Sequence, residues 1–157
     1  MCNSAVIETP IGKIYAVSDE KALHYLGFEK QDDPFGKTIP LEQIRNELDA
    51  YFRGELQEFK TPIFLNGSAF QNKVWKALLQ IPFGKTTSYK DVAKTIGNGK
   101  ASRAVGNANG ANPFIFIVPC HRVIAFDGTL GGYSAGLEKK LWLLRHECCA
   151  ISPNVAQ

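Results

Sequence analysis

Cys120 and His121 stand side by side near the middle of the second half of the chain. A thiol attacks as its thiolate, so a nucleophilic cysteine needs either a lowered pKa or a neighbouring base, and an imidazole can be that base. The alternative is that Cys120 is a structural core residue, because free cysteine is among the most buried residue types. The polar pair His121-Arg122 follows where a core strand would stay apolar. Both interpretations therefore remain open at this point.

The elements on either side of Cys120 decide how the thiol is presented. Residues 114–118 form an uninterrupted apolar run, which predicts a buried strand. Pro119 should end that strand, because proline cannot donate to a sheet ladder. Beyond the motif, the pair Asp127-Gly128 predicts the turn of a short hairpin. The thiol is thus expected at the end of a strand and shortly before a hairpin.

A last helix is predicted from Leu137 to Glu147, with Leu137, Leu141 and Leu144 facing inward. Glu147 continues this apolar stripe at the next helical step. A buried carboxylate needs a partner, and His121 is the group that a nearby motif offers. A frayed helix end at the surface is the alternative, and the periodicity alone does not separate the two.

Three further helices are predicted between residue 66 and the apolar run. Ser68-x-x-Gln71 is a capping box that opens the first, and Ser88-x-x-Asp91 caps the second. The third covers about residues 100–109. Because a short turn containing glycine joins the last two helices, the pattern is that of a helix-turn-helix.

The third of these helices has an unusual composition. Ala101, Val105 and Ala108 suit packing on the domain, and the other side offers small residues with one long cation, Arg103. A helix that reads the major groove normally carries several long polar side chains. Small residues instead permit either close contact with a nucleic acid or simply tight helix packing, and both explanations stay open.

The first part of the chain carries no recognisable chemistry. Strands are expected within residues 5–30 and a helix over residues 41–53, while residues 59–65 read as an edge strand or a linker. The composition changes after residue 65. We therefore expect an N-terminal α/β domain over residues 1–65 and a mostly helical domain over residues 66–157.

Composition and charge narrow the possible classes of protein. Of the 157 residues, 45% are hydrophobic and 21% charged, which is typical of globular proteins, and the net charge of +3 permits a nucleic-acid partner. No apolar run is long enough to span a membrane. Because no secretory signal is recognisable, we expect a cytoplasmic protein with reduced thiols. The four cysteines, which include adjacent Cys148 and Cys149, show no zinc-ligand spacing, so no metal is expected.

Several motifs in the same order resemble those of the O6-alkylguanine-DNA alkyltransferases, also called methylated-DNA–protein-cysteine methyltransferases. The resemblance covers about residues 66–147. Its motifs are Pro119-Cys120-His121-Arg122-Val123, Phe83-Gly84-Lys85-Thr86-Thr87-Ser88-Tyr89, Ser102-Arg103-Ala104-Val105-Gly106, Asn112-Pro113, Gly132-Tyr133-Ser134 and Leu143-Leu144-Arg145-His146-Glu147. One short motif could arise by chance, but five further motifs in the right order are very specific.

The resemblance implies a role for each residue of a catalytic group. Cys120 would accept the alkyl group. His121 would take the thiol proton through a water, and Glu147 would orient His121, which has the nucleophile–base–orienter arrangement of a triad. Asn112 would tie the helix-turn-helix to the active-site loop. The product would be a thioether that no residue can cleave, so the protein would act once.

The resemblance also implies how DNA and the damaged base are held. Arg103 would take the place of the extruded base in the stack, and Tyr89 would push the 3′ phosphate and contact the base. The implied pocket and DNA contacts further include Val123, Tyr133, Ser134, Ala101 and Ala104. In this family the recognition helix enters the minor groove, which accounts for its small face. The nucleotide must be flipped out, because an alkyl group on O6 points into the duplex.

The implied fold is an N-terminal α/β domain of the ribonuclease H-like type followed by a winged-helix-like, mostly helical DNA-binding domain. The implied partner is double-stranded DNA carrying O6-alkylguanine, with a monomeric protein, no cofactor and no membrane. Activity on O4-alkylthymine stays open. Two rival functions are a cysteine hydrolase, for which His24 is the remaining histidine candidate, and an alkyltransferase-like DNA-binding regulator, which would lack the cysteine.

Overall fold

The computed structural model describes residues 1–147 and divides the chain into two compact units, Met1–Leu65 and a second unit that begins at Asn66. The first unit is mixed α/β and the second is mostly helical, as the predicted fold class requires. No helix within residues 1–147 is both long and apolar enough to cross a membrane. Cys148 and Cys149 lie outside the described residues.

The first unit is an antiparallel sheet with one helix against it. Its strands are β1 (Asn3–Thr9), β2 (Gly12–Ser18) and β3 (Leu23–Gly27), in the order β1-β2-β3. Helix α1 (Ile39–Phe52) packs against β1 and β2, and the side chain of Thr38 caps it. Residues 59–65 form no strand of their own beyond a single parallel bridge between Leu23 and Ile63.

The second unit begins with the three helices that the capping signals predicted. Its elements are α2 (Ala69–Leu78), β4 (Thr87–Ser88), α3 (Tyr89–Thr95), α4 (Ser102–Gly110), a 3-10 turn (Cys120–Arg122), β5 (Val123–Ile124) and α5 (Leu137–His146). Both halves of the capping box form at Ser68 and Gln71, and the Ser88 hydroxyl accepts from the Asp91 amide. These capping residues predict the helix starts correctly because their side chains bind main-chain amides that the first turn of a helix leaves unpaired.

Helices α3 and α4 form the predicted helix-turn-helix, and α2 supports α4. The indole Nε1 of Trp75 donates to the carbonyl oxygen of Ala108 at 2.9 Å. Val105 and Ala108 are buried, whereas Arg103 and Ala104 are exposed. The face of α4 that was predicted to pack is therefore the one that packs.

The predicted strand over residues 114–118 is wrong. The segment is a buried turn in which the Val118 amide donates to the Phe114 carbonyl at 3.0 Å. Phe116 has a φ of 70°, in the left-handed region, so the chain cannot continue as an extended strand there. The side chain of Asn112 closes the turn, since its Oδ1 accepts from the Phe114 amide and its Nδ2 donates to the Val118 carbonyl. An apolar run in the sequence indicates a buried segment, but it does not by itself indicate an extended backbone.

The predicted hairpin is also wrong, although its turn exists. The Ala125 amide donates to the Thr129 carbonyl at 2.9 Å around Asp127-Gly128, where Gly128 has a φ of 89°. However, no second strand follows the turn before α5. Strand β5 pairs instead in parallel with β4, with Thr87 opposite Val123.

The inward face of α5 differs from the prediction at one position. Leu137 is 50% exposed, because it stands at the first turn of the helix, and Leu141 is partly buried. The buried stripe consists of Lys140, Leu143, Leu144 and Glu147. These positions follow i, i+3, i+4 and i+7, so the periodicity was right and the charged residue at its start was overlooked.

Candidate active site

Cys120 begins the 3-10 turn at the end of the buried segment and is 3% exposed. Its amide donates to the Val118 carbonyl at 2.7 Å, and its carbonyl accepts from Nδ2 of Asn109 at 3.3 Å. Asn112, two residues beyond α4, holds the preceding turn closed and also hydrogen-bonds the thiol. The thiol is therefore anchored to the helix-turn-helix through two asparagine side chains.

His121 and Glu147 meet inside the unit, which is the buried one of the two alternatives that the apolar stripe of α5 left open. Nε2 of His121 lies 2.8 Å from Oε2 of Glu147, and the two side chains have no exposed area. Arg122 binds the same carboxylate through Nε at 2.7 Å and Nη2 at 3.0 Å, and its Nη1 donates to the Ile81 carbonyl at 2.7 Å. The carboxylate of Glu147 thus accepts hydrogen bonds from both His121 and Arg122, which are neighbours in the motif.

The charge state of Glu147 determines the tautomer of His121. Burial raises the pKa of Glu147, but the hydrogen bonds from His121 and Arg122 outweigh it and hold this pKa well below its usual range. The ionised carboxylate can only accept, so Nε2 of His121 must carry a proton. Burial lowers the pKa of His121, against the opposing effect of Glu147. The resting imidazole is therefore neutral, and its basic lone pair is on Nδ1.

Nδ1 of His121 is buried and has no hydrogen-bond partner among the described residues. Such an atom normally finds a protein partner or an ordered water. Burial also raises the pKa of the Cys120 thiol, although Asn112 and Lys140 act in the opposite direction. Since the thiol is not acidified at rest, the thiolate has to be made by a base at the time of attack.

Lys140 is a buried cation that the sequence analysis missed. Its Nζ donates to the carbonyls of Val123 and Leu130, each at 2.6 Å, and to the carbonyl of Gly132 at 2.9 Å. Burial lowers its pKa to about 8, while the charge of Cys120 acts in the opposite direction. The ammonium fastens the loop before α5 to the segment that follows Cys120. A lysine on the buried stripe of a helix is the signal that could have revealed it.

A cavity of about 690 Å³ opens beside the thiol. Five of the predicted site residues line it together with small residues of α4: Cys120, Tyr89, Arg103, Tyr133 and Ser134. The hydroxyl of Tyr89 contacts both the amide and the carbonyl of Gly132, at 3.3 and 3.4 Å. The cavity therefore lies between the helix-turn-helix and the loop around Gly132, and the thiol forms part of its wall.

The other predicted residues lie around this cavity without lining it. Val123 is fully buried, Ala101 caps α4 and is half-buried, and Ala104 is exposed on the same helix. The hydroxyl of Tyr133 is buried and lacks a hydrogen-bond partner among residues 1–147, and burial raises its pKa well above the usual value.

The first unit also contains two side chains of reactive types, His24 and Cys2. His24 binds Asp19 at 2.9 Å within the first unit and packs on Phe64. Cys2 is half-buried, and residues 1–147 contain no cluster of three potential metal ligands. Neither residue is part of a recognisable catalytic arrangement there.

The fold and the site define a class of protein: a helix-turn-helix domain with a buried cysteine that is backed by a histidine and a glutamate. Two family models match the chain, the 6-O-methylguanine DNA methyltransferase DNA binding domain over residues 69–149 and the ribonuclease-like domain of the same family over residues 4–65. The chain belongs to the 6-O-methylguanine DNA methyltransferase family.

Individual relatives agree with this assignment. A methylated-DNA–protein-cysteine methyltransferase of Methanosarcina acetivorans is 45% identical over 152 residues, covering 91% of this chain and 96% of that protein. The structure of Mycobacterium tuberculosis OGT in complex with DNA matches with a TM-score of 0.87 and 42% identity, covering 93% and 92% of the two chains. A second structure, the M. tuberculosis O6-methylguanine methyltransferase, has a TM-score of 0.85 and 38% identity and covers both chains fully.

Proposed function

We propose that this protein repairs DNA by transferring the alkyl group of O6-alkylguanine to its own Cys120, once per molecule. The observation that carries the proposal is the buried Cys120 at the wall of a cavity, directly followed by a neutral histidine whose Nδ1 is free to accept a proton. The family of the chain supports the same reaction. A cavity of this size lies within the range of sites for small molecules, so a single extruded base fits it.

The transfer balances as an exchange of a methyl group for a proton. His121 takes the thiol proton at Nδ1, through a bridging water, while Glu147 stabilises the imidazolium that forms. The thiolate then attacks the alkyl carbon in line, so that the S–C bond forms as the bond to O6 breaks. The electron pair passes to O6 and the purine ring, and the imidazolium can return its proton to the base. The thioether stays on Cys120, which explains why the protein is consumed.

The partner in this proposal is double-stranded DNA with a flipped nucleotide, bound by a monomer in the compartment that holds the DNA. Arg103 is exposed on α4 at the cavity, where its side chain can fill the space in the stack that the base leaves. Tyr89 lies across the cavity at the start of α3, where it can contact the base and the adjacent phosphate. Ala101 and Ala104 keep this side of α4 small enough for close contact with a groove.

Two rival functions make different predictions. An alkyltransferase-like regulator would bind alkylated DNA without a cysteine, and the presence of Cys120 in the cavity disfavours it. A cysteine hydrolase would release its product and turn over. For that role His24 would be the histidine, but it is paired with Asp19 at 2.9 Å.

Incubation with duplex DNA that carries a labelled O6-methyl group separates the three functions. We expect the label to move to the protein and to reach a plateau at about one methyl group per chain, on the peptide that contains Cys120. Repeated release of labelled methanol would indicate a hydrolase. Label that remains on DNA while the protein binds it would indicate a regulator.

Arg103→Ala tests whether this cation assists the extrusion of the base. Unstacking costs a few kcal/mol, so we expect transfer from duplex DNA to slow by about 10- to 100-fold. Transfer from the free base O6-methylguanine should change much less, because no stack has to open. Lys100→Ala, which removes an exposed cation just before the same helix, is the control for general loss of DNA attraction. Equal losses on duplex and free base in Arg103→Ala would exclude a role in extrusion.

A further inference from the structure

Asn109 helps to anchor Cys120 through its amide nitrogen, but its amide oxygen has no role in the reaction described so far. It lies near the end of α4, is 5% exposed, and donates from Nδ2 to the carbonyl of Cys120 at 3.3 Å. Its Oδ1 is buried and has no hydrogen-bond partner among residues 1–147. A buried amide oxygen without a donor destabilises the protein, so this oxygen calls for a donor, which a bound ligand can supply.

The surroundings of Asn109 limit what that donor can be. Asn109 lines the same cavity as Cys120, Tyr133 and Ser134, so a base that reaches the thiol also reaches this part of the wall. The bond from Nδ2 to the Cys120 carbonyl fixes the plane of the amide. Oδ1 therefore cannot be exchanged for Nδ2 without losing that bond, and the side chain presents an acceptor.

The chemistry of the alkylated base supplies a matching donor. Alkylation at O6 removes the proton from N1, so O6, N1, N3 and N7 of the base are all acceptors. The exocyclic 2-amino group is then the remaining donor of the ring, and it distinguishes guanine from the other bases. A thymine alkylated at O4 has lost its N3 proton in the same way and has no amino group. An unpaired acceptor in the wall thus pairs with alkylated guanine and with neither alkylated thymine nor alkylated hypoxanthine.

We propose that Oδ1 of Asn109 accepts a hydrogen bond from the 2-amino group of the flipped O6-alkylguanine, and that Asn109 thereby selects this base over alkylated bases without the amine. The inference rests on the proposed alkyl transfer and adds a residue that determines its specificity. A site that presents a buried acceptor rejects an analogue without the donor, because the acceptor then stays unpaired in the complex.

The test compares two duplexes that differ by the amino group alone, one with O6-methylguanine and one with O6-methylhypoxanthine. We expect the unmodified protein to react with the first about tenfold faster, which corresponds to one net hydrogen bond. Asn109→Leu replaces the amide by an apolar group of similar size and should bring the ratio of the two rates close to one. The matched control is Asn107→Leu, which removes an exposed amide from the same helix and cavity and should leave the ratio unchanged.

The outcomes separate this inference from the proposed function. If the unmodified protein transfers methyl groups from both duplexes at equal rates, or if Asn109→Leu keeps the tenfold ratio, the inference is wrong while the alkyl transfer stands. If no methyl group reaches the protein from either duplex, the proposed function fails and the inference with it. Should Asn109→Leu not fold, as judged by circular dichroism, Asn109→Ala removes the same acceptor without added bulk and carries the same expectation.

Discussion

Cys120→Ala is expected to abolish methyl transfer while DNA binding stays close to that of the unmodified protein. Attack requires a sulfur at this position, and the loss of a nucleophile typically lowers rates by more than about 1,000-fold. Alanine keeps the small volume of the side chain and leaves the main-chain bonds of the 3-10 turn in place. The measurement is the transfer of a labelled methyl group from duplex DNA, together with a binding titration of the same duplex.

Cys2→Ala is the matched control, because Cys2 is the other free cysteine among the described residues and lies in the first unit. The Cys2→Ala protein should accept one methyl group per chain at the rate of the unmodified protein. Full labelling of Cys120→Ala, or loss of labelling in Cys2→Ala, would place the acceptor elsewhere. Loss of DNA binding in Cys120→Ala would mean that the thiol supports the shape of the DNA-binding surface.

Glu147→Gln is expected to cause the largest loss of stability and to slow transfer as well. The two carboxylate oxygens accept from Nε and Nη2 of Arg122 and from Nε2 of His121. In glutamine an NH2 group replaces one of these oxygens, and this NH2 group would face an N–H group of Arg122 or His121. The substitution also leaves the buried guanidinium of Arg122 without a counter-charge. Breaking a buried pair in this way costs about 3–5 kcal/mol of unfolding free energy. Because His121 loses the partner that fixes its tautomer, we also expect transfer to slow by about 10²- to 10⁴-fold.

The control for this substitution is Glu138→Gln, an exposed carboxylate in the first turn of the same helix, which should change neither property. The pH dependence provides a second measurement. The folded pKa of Glu147 lies below the ordinary value of 4.5, so its contribution to stability is present above about pH 4.5 and is lost as the pH falls. The stability difference between Glu147→Gln and the unmodified protein should therefore narrow in acid. A constant difference down to low pH would mean that the carboxylate charge is not what stabilises the fold.

Local signals in the sequence predicted the helices of the second unit well. Ser68 with Gln71 and Ser88 with Asp91 satisfy amides within a few residues, so no knowledge of the rest of the fold is needed. Helical periodicity put Glu147 on the apolar stripe of the last helix but left a frayed end at the surface open, and His121 was the expected partner only if the carboxylate was buried. The roles of the individual site residues came from the resemblance of the motifs and remain proposals.

The parts that sequence patterns could not predict depend on contacts far apart in the chain. The segment 114–118 is as apolar as a core strand, but Asn112 folds it into a turn and Phe116 takes a left-handed conformation. Arg122 binds Glu147 from 25 residues away, and Lys140 binds three carbonyls of a loop. Neither cation has a partner at a spacing that a periodic pattern detects, so each was overlooked as a buried residue.

The two-residue ladder between β4 and β5 has a consequence for how this region tolerates change. Ser88 both pairs with Ile124 and caps the helix that begins with Tyr89, so main-chain bonds set the spacing between Tyr89 and the motif around Cys120. Main-chain bonds do not depend on which side chains flank them. The stretch that leads into β4 should therefore accept exchanges of one amino acid for another more readily than a gain or loss of a residue, which would shift the register and move Tyr89 away from the cavity.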